Sequence, residues 1–593
     1  MVFQTFVLLS TVLDLLYICR ALMELAWWVW DSFLRPMRNL KEYGPWAIVT
    51  GPTDGIGKES NRLARYHGLN LVLVGRNPSK LSLVSTEILK MNRSIEVRRI
   101  EVDLEGDINE GMEKIREGIE GLDIGIWINN AGTGYPYATF LHEADEDENI
   151  RVNVEFTTRL THLVLPAMVK KNKGAIVNIG SAAGSLLPAS PLATIHSATK
   201  ANLMIVADPE RSRGGPHVEL HDIGLGLVLV RIAYDTLESS QGVCMWNTNN
   251  MGLTFNVRDT AYVRESSFLV SFGAFSISFE ANMVFQTFLL LSTVLGLLHI
   301  CRALMEIAWW VWASFLRPMK NLKEYGPWAI VTGPTDGIGK AIAFRLARHH
   351  GLNLVLVGRD PSKLRSVSSE ILKMNKSIEV RSIEVDLAGD INKGMEKIRE
   401  GIGGLDIGIL INNAGTGYPY SRFLHEADEE LVARIIRVNV EFTTMLTHLV
   451  LPAMVKKKKG AIVNIGSASG SFLPASPLAT IYSATKAYVG KFSRSLHVEY
   501  KQHGIDVQCQ APFYVATNLT KMEPSFFTPS ADGYADWCMS WIGQEAVCTP
   551  YWTHSIRWFA VRLLPDVLLE WLALRHFLLK RQKGIMYEHS KHL

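Results

Sequence analysis

Trp328-Ala-Ile-Val-Thr-Gly-Pro-Thr-Asp-Gly-Ile-Gly-Lys340 decides the fold. Five residues of buried-strand character run straight into a turn containing Gly333, Gly337 and Gly339, and a helical pattern opens at Lys340. Glycines there let the backbone approach an anionic group at the positive end of the helix. A second apolar strand, Leu354-Val-Leu-Val-Gly-Arg359, comes next; Val385-Asp386-Leu387 closes a third, and Leu410-Ile-Asn412-Asn413-Ala414-Gly415 a fourth. Apolar strands separated by helical stretches predict an α/β, doubly wound parallel sheet of Rossmann type. The turn, through Gly333, Thr335, Asp336, Gly337, Ile338 and Gly339, is expected to hold a dinucleotide pyrophosphate. Arg359 ends the second strand where an acidic residue would hold a ribose 2′-hydroxyl, and Lys363 stands one turn on. That pair suits a 2′-phosphate, so the expected cofactor is NADPH. Asp386 and Leu387 are expected at the adenine, and Asn413, Ala414 and Gly415 against the cofactor.

The same stretch occurs twice. Residues 36–58 recur at 318–340 with one change, Arg38 against Lys320, and 68–76 recur unaltered at 351–359. A period this long is no solenoid but a tandem copy of a whole protein. The expected organisation is a membrane anchor over 1–42, a degenerate, truncated dinucleotide-binding domain over 43–201 and an unmatched linker over 202–282. A second anchor over 283–324 and a complete domain over 325–593 complete the chain. Copy one keeps the cofactor remnants Gly51, Gly55, Gly57, Arg76, Asp103 and Asn130. It departs from copy two in four places. The helix after its glycine turn is one residue shorter, Lys58-Glu-Ser-Asn-Arg-Leu, which rotates the remainder by about 100°. Three residues are missing before Arg151, His196 stands where copy two has Tyr482, and the match ends at Ala201. Leu225 to Ile232 is the expected replacement strand beyond that point.

Composition narrows the function. With 61 basic and 58 acidic residues and no basic stripe with interleaved aromatics, the chain carries no signature of nucleic-acid binding. Six cysteines without a C-x-x-C fit a reducing compartment and no metal. Val2 to Cys19 is an apolar run without a preceding basic residue, and reads as an uncleaved anchor. Arg35, Arg38 and Lys41 behind it place the first domain in the cytosol. The anchor returns as Phe285 to Cys301, with Arg317, Lys320 and Lys323 behind it. A single crossing there would put the two domains on opposite sides. Two crossings within Ser266 to Cys301, or anchors that only dip into the bilayer, resolve the conflict.

The chemistry is expected between Ser467 and Lys486. If Ala479 to Ser495 is helical, Tyr482 and Lys486 lie at i and i+4 on one face. A nearby ammonium favours phenolate, turning the hydroxyl into a usable acid near neutral pH. Ser467 comes after the apolar run Ala461-Ile-Val-Asn-Ile and is expected at a strand end, bonding the same substrate oxygen. Aromatics and methionines between Phe513 and Trp558 suit either a lid over a long acyl chain or core packing, and the run Trp558 to Leu579 suits a membrane surface.

In order and spacing, Thr332-Gly-x-x-x-Gly-x-Gly339, Asn412-Asn-Ala-Gly415, Asn439, Ser467, Tyr482-x-x-x-Lys486 and Pro512-x-x-Val-x-Thr517 resemble the short-chain dehydrogenase/reductase family. The anchors and the tail Gln544-Glu-Ala-Val-Cys-Thr-Pro-Tyr-Trp are similar to the plant very-long-chain 3-oxoacyl-CoA reductases, with the membrane 17β-hydroxysteroid dehydrogenases as relatives. The resemblance covers 283–593 and about 1–201. It implies Tyr482 as general acid, Lys486 on the ribose hydroxyls, Ser467 orienting the carbonyl (Ser469 being the alternative), and Asn439 holding a water in a proton relay. It adds Val515 and Thr517 to the cofactor contacts. The implied activity is NADPH-dependent reduction of an acyl-CoA substrate in fatty acid elongation at the endoplasmic reticulum membrane, facing the cytosol, with other elongation enzymes as partners. A steroid or other lipid-ketone reductase and a non-catalytic membrane scaffold are the alternatives. Family dimers resemble four-helix packings, and copy one lacks parts of both helices. The expectation is therefore a homodimer through copy two, with no pairing of the two copies inside one chain.

Overall fold

The computed structural model describes residues 39–207 apart from 60, 136, 145–147 and 186, residues 218–223 and 293–591, and scattered positions within 22–34 and 287–291. The described chain holds two all-parallel sheets. In copy one, β1 (Trp46–Thr50), β2 (Asn70–Gly75), β3 (Val97–Glu101), β4 (Ile124–Asn129), β5 (Gly174–Ile179) and β6 (Val218–Ile223) lie in the order β3-β2-β1-β4-β5-β6. In copy two, β7 (Trp328–Thr332), β8 (Asn353–Gly358), β9 (Val380–Glu384), β10 (Ile407–Asn412), β11 (Gly460–Ile465), β12 (Ile505–Gln510) and β13 (Val547–Cys548) lie in the order β13-β12-β11-β10-β7-β8-β9. All five residues of β7 are buried, as a central parallel strand covered by helices on both faces requires. The strand order reverses between β7 and β10, and a crevice for ligands opens at the carboxyl ends of strands at such a point.

Copy one's departures are visible in its helices. Its glycine turn leads into a four-residue helix, Gly55–Lys58, then a second, Asn61–His67, where copy two has the continuous helix Gly337–Arg348. The three missing residues leave Glu148–Ile150 where copy two has Glu429–Ile436. The replacement strand is Val218–Ile223; Leu225 to Ile232 lies outside the described residues. His-Val-Glu at 217–219 and 497–499 shows context overriding local sequence, since Val218 and Glu219 are extended whereas His497–Glu499 is helical.

Contacts divide the chain into two units, and both sheets belong to the one formed by Asn39–Gly226 and Pro318–Leu593. The other unit includes the helix Thr293–Leu316, long and apolar enough to cross a membrane, with 6% of its most apolar window buried. Most of Phe285 to Thr293, like the first anchor, lies outside the described residues. A span over Glu429–Lys457 is comparably apolar but 61% buried, as a core helix is.

The expectation that the two copies do not pair as a dimer inside the chain is not met. Helix Thr480–Tyr500 of copy two packs along helix Thr194–Ala207 of copy one. The Ser190 amide donates to Ser495 Oγ at 3.1 Å and the Leu192 amide to Glu499 Oε1 at 2.6 Å, and Thr194 donates to the same carboxylate. Tyr500 bonds His142 through Nδ1 at 2.8 Å. On a second seam, Arg159 reaches Glu429 at 2.5 Å and His162 Nε2 meets the Ala427 carbonyl oxygen at 2.6 Å. The shortened helices of copy one still present the turns that make contact. Copy two's full-length helix supplies Ser495, Glu499 and Tyr500, so equivalent surfaces are unnecessary.

Candidate active site

The glycine turn of copy two is held open by its backbone. Gly333 and Gly337 have φ of +62° and +54°, where a side chain would be strained. A Cβ on Gly339 would lie 2.2 Å from Asn413 Nδ2 and 2.3 Å from the Gly333 oxygen. Thr332 Oγ1 accepts the amides of Asn413 and Ala414 at 3.0 and 2.9 Å, tying the end of β7 to the end of β10. Asn413 spends its amide on the Thr332 and Gly333 carbonyl oxygens, so its side chain shapes the turn. Asp336, at the N-cap of Gly337–Arg348, makes no side-chain cap but accepts from Asn518. The amides at that helix end are thus left to an anion. Thr517 lies 3.1 Å from where a Gly337 Cβ would be, and its amide and hydroxyl bond Thr520. Val515 is buried in the core. Arg359 is exposed at the end of β8, and among the described residues neither it nor Lys363 joins an ion pair. Asp386 and Leu387 come after β9, where Asp386 accepts the Ala388 amide at 3.1 Å. These residues fit a dinucleotide: an uncapped helix end and two left-handed glycines, with two exposed cations beyond β8.

Ser467, Tyr482 and Lys486 converge beside this turn. Ser467 caps the short helix Ala468–Ser471 at the end of β11, and its hydroxyl lies 2.9 Å from that of Ser469. Ser467 also hydrogen-bonds Tyr482. Tyr482 and Lys486 sit on Thr480–Tyr500, with the ammonium 5.9 Å from the ring centroid. The expected lowering of the phenol is not what the geometry gives. Burial raises Tyr482, opposed by the Ser467 bond, while burial pushes Lys486 down to about 8 and its ammonium donates to the Ile465 oxygen at 2.7 Å. Asn439 stands beside them. Its Nδ2 donates to the Thr416 oxygen and Thr485 Oγ1, and its Oδ1 accepts the Thr416 amide, so both side-chain hydrogens serve the fold. The side chain thereby pins the loop after β10 against the Tyr482 helix.

A cavity of about 480 Å³ opens in front of Tyr482, Ser467 and Ser469. Phe513, Tyr514, Tyr418 and Leu519 line it, but Met539 and Trp541 of the suggested lid are buried in the core. The other wall is the C-terminal helix Asp566–Lys591, whose residues 577–588 carry no motif that marks them in the sequence. Gly584 lets it touch Tyr420, since a Cβ there would lie 2.4 Å from Tyr420 Cβ, and Arg581 pairs with Glu426 at 2.5 Å. The stripe Phe577, Lys580, Gly584, Tyr587 at helical spacing was the available signal.

Copy one keeps the frame of this site. Lys200 donates to the Ile179 oxygen at 3.0 Å, and Asn153 bonds Thr133 and Thr199 as Asn439 bonds Thr416 and Thr485. Asn130 holds the turn at Gly51 as Asn413 does at Gly333. Gly51 and Gly55 keep positive φ. His196 replaces the phenol, its Nδ1 3.2 Å from the Thr133 oxygen, and burial lowers its pKa, with Lys200 adding to the effect.

The short chain dehydrogenase family matches residues 45–238 and 327–526, two thirds of the chain. The chain belongs to that family. It is an NAD(P)-dependent oxidoreductase acting on a carbonyl. A very-long-chain 3-oxoacyl-CoA reductase-like protein of Arabidopsis thaliana is 46% identical over 46% of this chain and 89% of its own length. The human very-long-chain 3-oxoacyl-CoA reductase is 42% identical over 41% of this chain and 76% of its own. A human relative named inactive hydroxysteroid dehydrogenase-like protein 1 is 40% identical over 42% and 76%.

Proposed function

We propose that copy two reduces a 3-oxoacyl-CoA to the 3-hydroxyacyl-CoA with NADPH, serving very-long-chain fatty acid elongation at the cytosolic face of the endoplasmic reticulum membrane. The observation that carries this reading is that Tyr482 and Ser467 line a largely apolar cavity, with the buried Lys486 one turn beyond Tyr482 on the same helix. Bound NADPH supplies the hydride. Ser467 and Tyr482 hydrogen-bond the keto oxygen, and the Tyr482 hydroxyl delivers the proton as charge develops there. Lys486, one turn on, stabilises the phenolate left on Tyr482, and that phenolate regains its proton from water reaching the cavity. Arg359 and Lys363 select the 2′-phosphate.

Replacing Tyr482 by Phe removes the acid without opening the cavity. NADPH oxidation with a 3-oxoacyl-CoA should fall by ~10²–10⁴. A residual rate near wild type would defeat the assignment. Preference for a steroid ketone over 3-oxoacyl-CoA in the same assay would favour the lipid-ketone alternative. For copy one, the scaffold reading is favoured by a specific observation: Arg76 is bound to Glu105 at 2.8 Å and Lys80 to Asp54 at 2.9 Å. The cations that would take a 2′-phosphate there are already neutralised.

A further inference from the structure

One wall of the cavity is basic. Phe577, Lys580, Lys583, Gly584 and Tyr587 succeed one another along the C-terminal helix, mostly at three- and four-residue steps, and all line the cavity. Lys580 is half-buried, its ammonium 3.8 Å from the centroid of the Tyr514 ring. Lys521, on the loop beyond the Thr517 turn, stands 5.0 Å from the Tyr587 ring centroid, and Lys583 is exposed at the rim. Among the described residues none of these three lysines joins an ion pair. The carboxylates nearby are engaged elsewhere, Glu426 by Arg581 and the cavity-lining Glu588 by Arg422 at 3.8 Å. Lys580, held partly out of water over an aromatic face, and the exposed Lys521 and Lys583, all without carboxylate partners, are left to attract an incoming anion. Tyr482 and Ser467 line the same cavity, together with apolar side chains such as Leu473, Leu478 and Phe513.

We infer that Lys580, Lys583 and Lys521 seat the phosphates of the coenzyme A carrier, so that the C-terminal helix, together with the loop that carries Lys521, selects a CoA thioester. This rests on the reading of copy two as a 3-oxoacyl-CoA reductase. A compact ammonium on a flexible stem suits several phosphates as a point charge, without the fixed geometry that arginine imposes. The phosphate of a lipid headgroup shares the chemistry, and the test separates the two.

The full chain is assayed with a 3-oxoacyl-CoA and with the same acyl group on N-acetylcysteamine, which has the thioester but no phosphate. The ratio of the two kcat/KM values removes any general effect of a substitution. It should fall about tenfold in Lys583→Gln and further in Lys580→Gln/Lys583→Gln, and recover in Lys583→Arg. Raised salt should lower the ratio in the wild type more than in the double variant. Binding of free coenzyme A, measured by calorimetry, should weaken in parallel. An unchanged ratio together with unchanged coenzyme A affinity in the double variant overturns the inference. So does loss of sedimentation with phosphatidylserine vesicles while the ratio holds, because the lysines would then serve lipid. If the wild type binds coenzyme A through these lysines but reduces neither thioester, the seat stands and the reductase reading falls; if it does neither, both fall.

Discussion

Copies one and two share a frame but differ in the residues at the candidate site, and the difference separates residues that build the fold from those proposed to carry the chemistry. Both keep the strand order around the glycine turn, the asparagine that ties the turn and the lysine on the strand-end carbonyl oxygen. Copy one has a histidine for the phenol, a broken helix behind the turn, and carboxylates on its two phosphate-directed cations. Glu105 occupies the position of Ala388, so one residue suffices to occupy Arg76. Copy one also lacks a counterpart of the C-terminal helix among the described residues, and Tyr137 is 73% exposed where Tyr420 is covered. Copy one also keeps the helix Thr194–Ala207, which packs against copy two.

The comparison breaks first at the acid. His196→Ala should leave the 3-oxoacyl-CoA rate of the full chain unchanged, whereas Tyr482→Phe should cost ~10²–10⁴. Equal losses in the two variants would mean two working sites.

The seam comes next. Arg159, only 7% exposed, bonds Glu429 and the equally buried Glu155, and copy two has Met445 in its place. Arg159→Met leaves a buried carboxylate unpaired and should destabilise the paired unit by about 3 kcal/mol in urea melts. A midpoint that does not move would show that the seam contributes nothing to stability.

Cofactor choice sharpens the contrast. Arg359→Asp should lower the NADPH preference over NADH, read as the ratio of kcat/KM values, by at least about tenfold. Glu105→Ala should instead free Arg76 without adding turnover. Equal use of both cofactors by the wild type would remove the role of Arg359.

The smallest effect is that of pH. Burial raises Glu499 to about 7, against the hydrogen bonds from Leu192 and Thr194. A carboxyl raised in the folded state stabilises it fully below its unfolded pKa, near ~4.5, and that contribution is lost as pH rises through about 7. The paired unit should lose about 1 kcal/mol between pH 6 and pH 8, and Glu499→Gln should abolish that slope. A slope retained in Glu499→Gln would place the titration elsewhere.

Strand order and the approach of Ser467, Tyr482 and Lys486 were legible because apolar run length, glycine turns and i, i+4 spacing are local signals. The pairing of copies was not, because it depends on which turns of two helices meet and on single exchanges such as Arg159 for Met445. Neither was the phenol's pKa, since a helical spacing shows proximity to Lys486 but not the burial that outweighs it. The cavity wall formed by the C-terminal helix was not read either. Its exposed apolar residues, Val567 and Trp571 among them, carry the membrane-surface reading, while Gly584 and Arg581 dock the helix beside the cavity.

The most direct test of one working site per chain is the stoichiometry of NADPH binding, measured by calorimetry on the full chain. The account predicts one NADPH per chain, with the saturable binding weakened in Arg359→Asp and unaffected by Arg76→Asp. Two equivalents per chain, or binding weakened by Arg76→Asp, would contradict it.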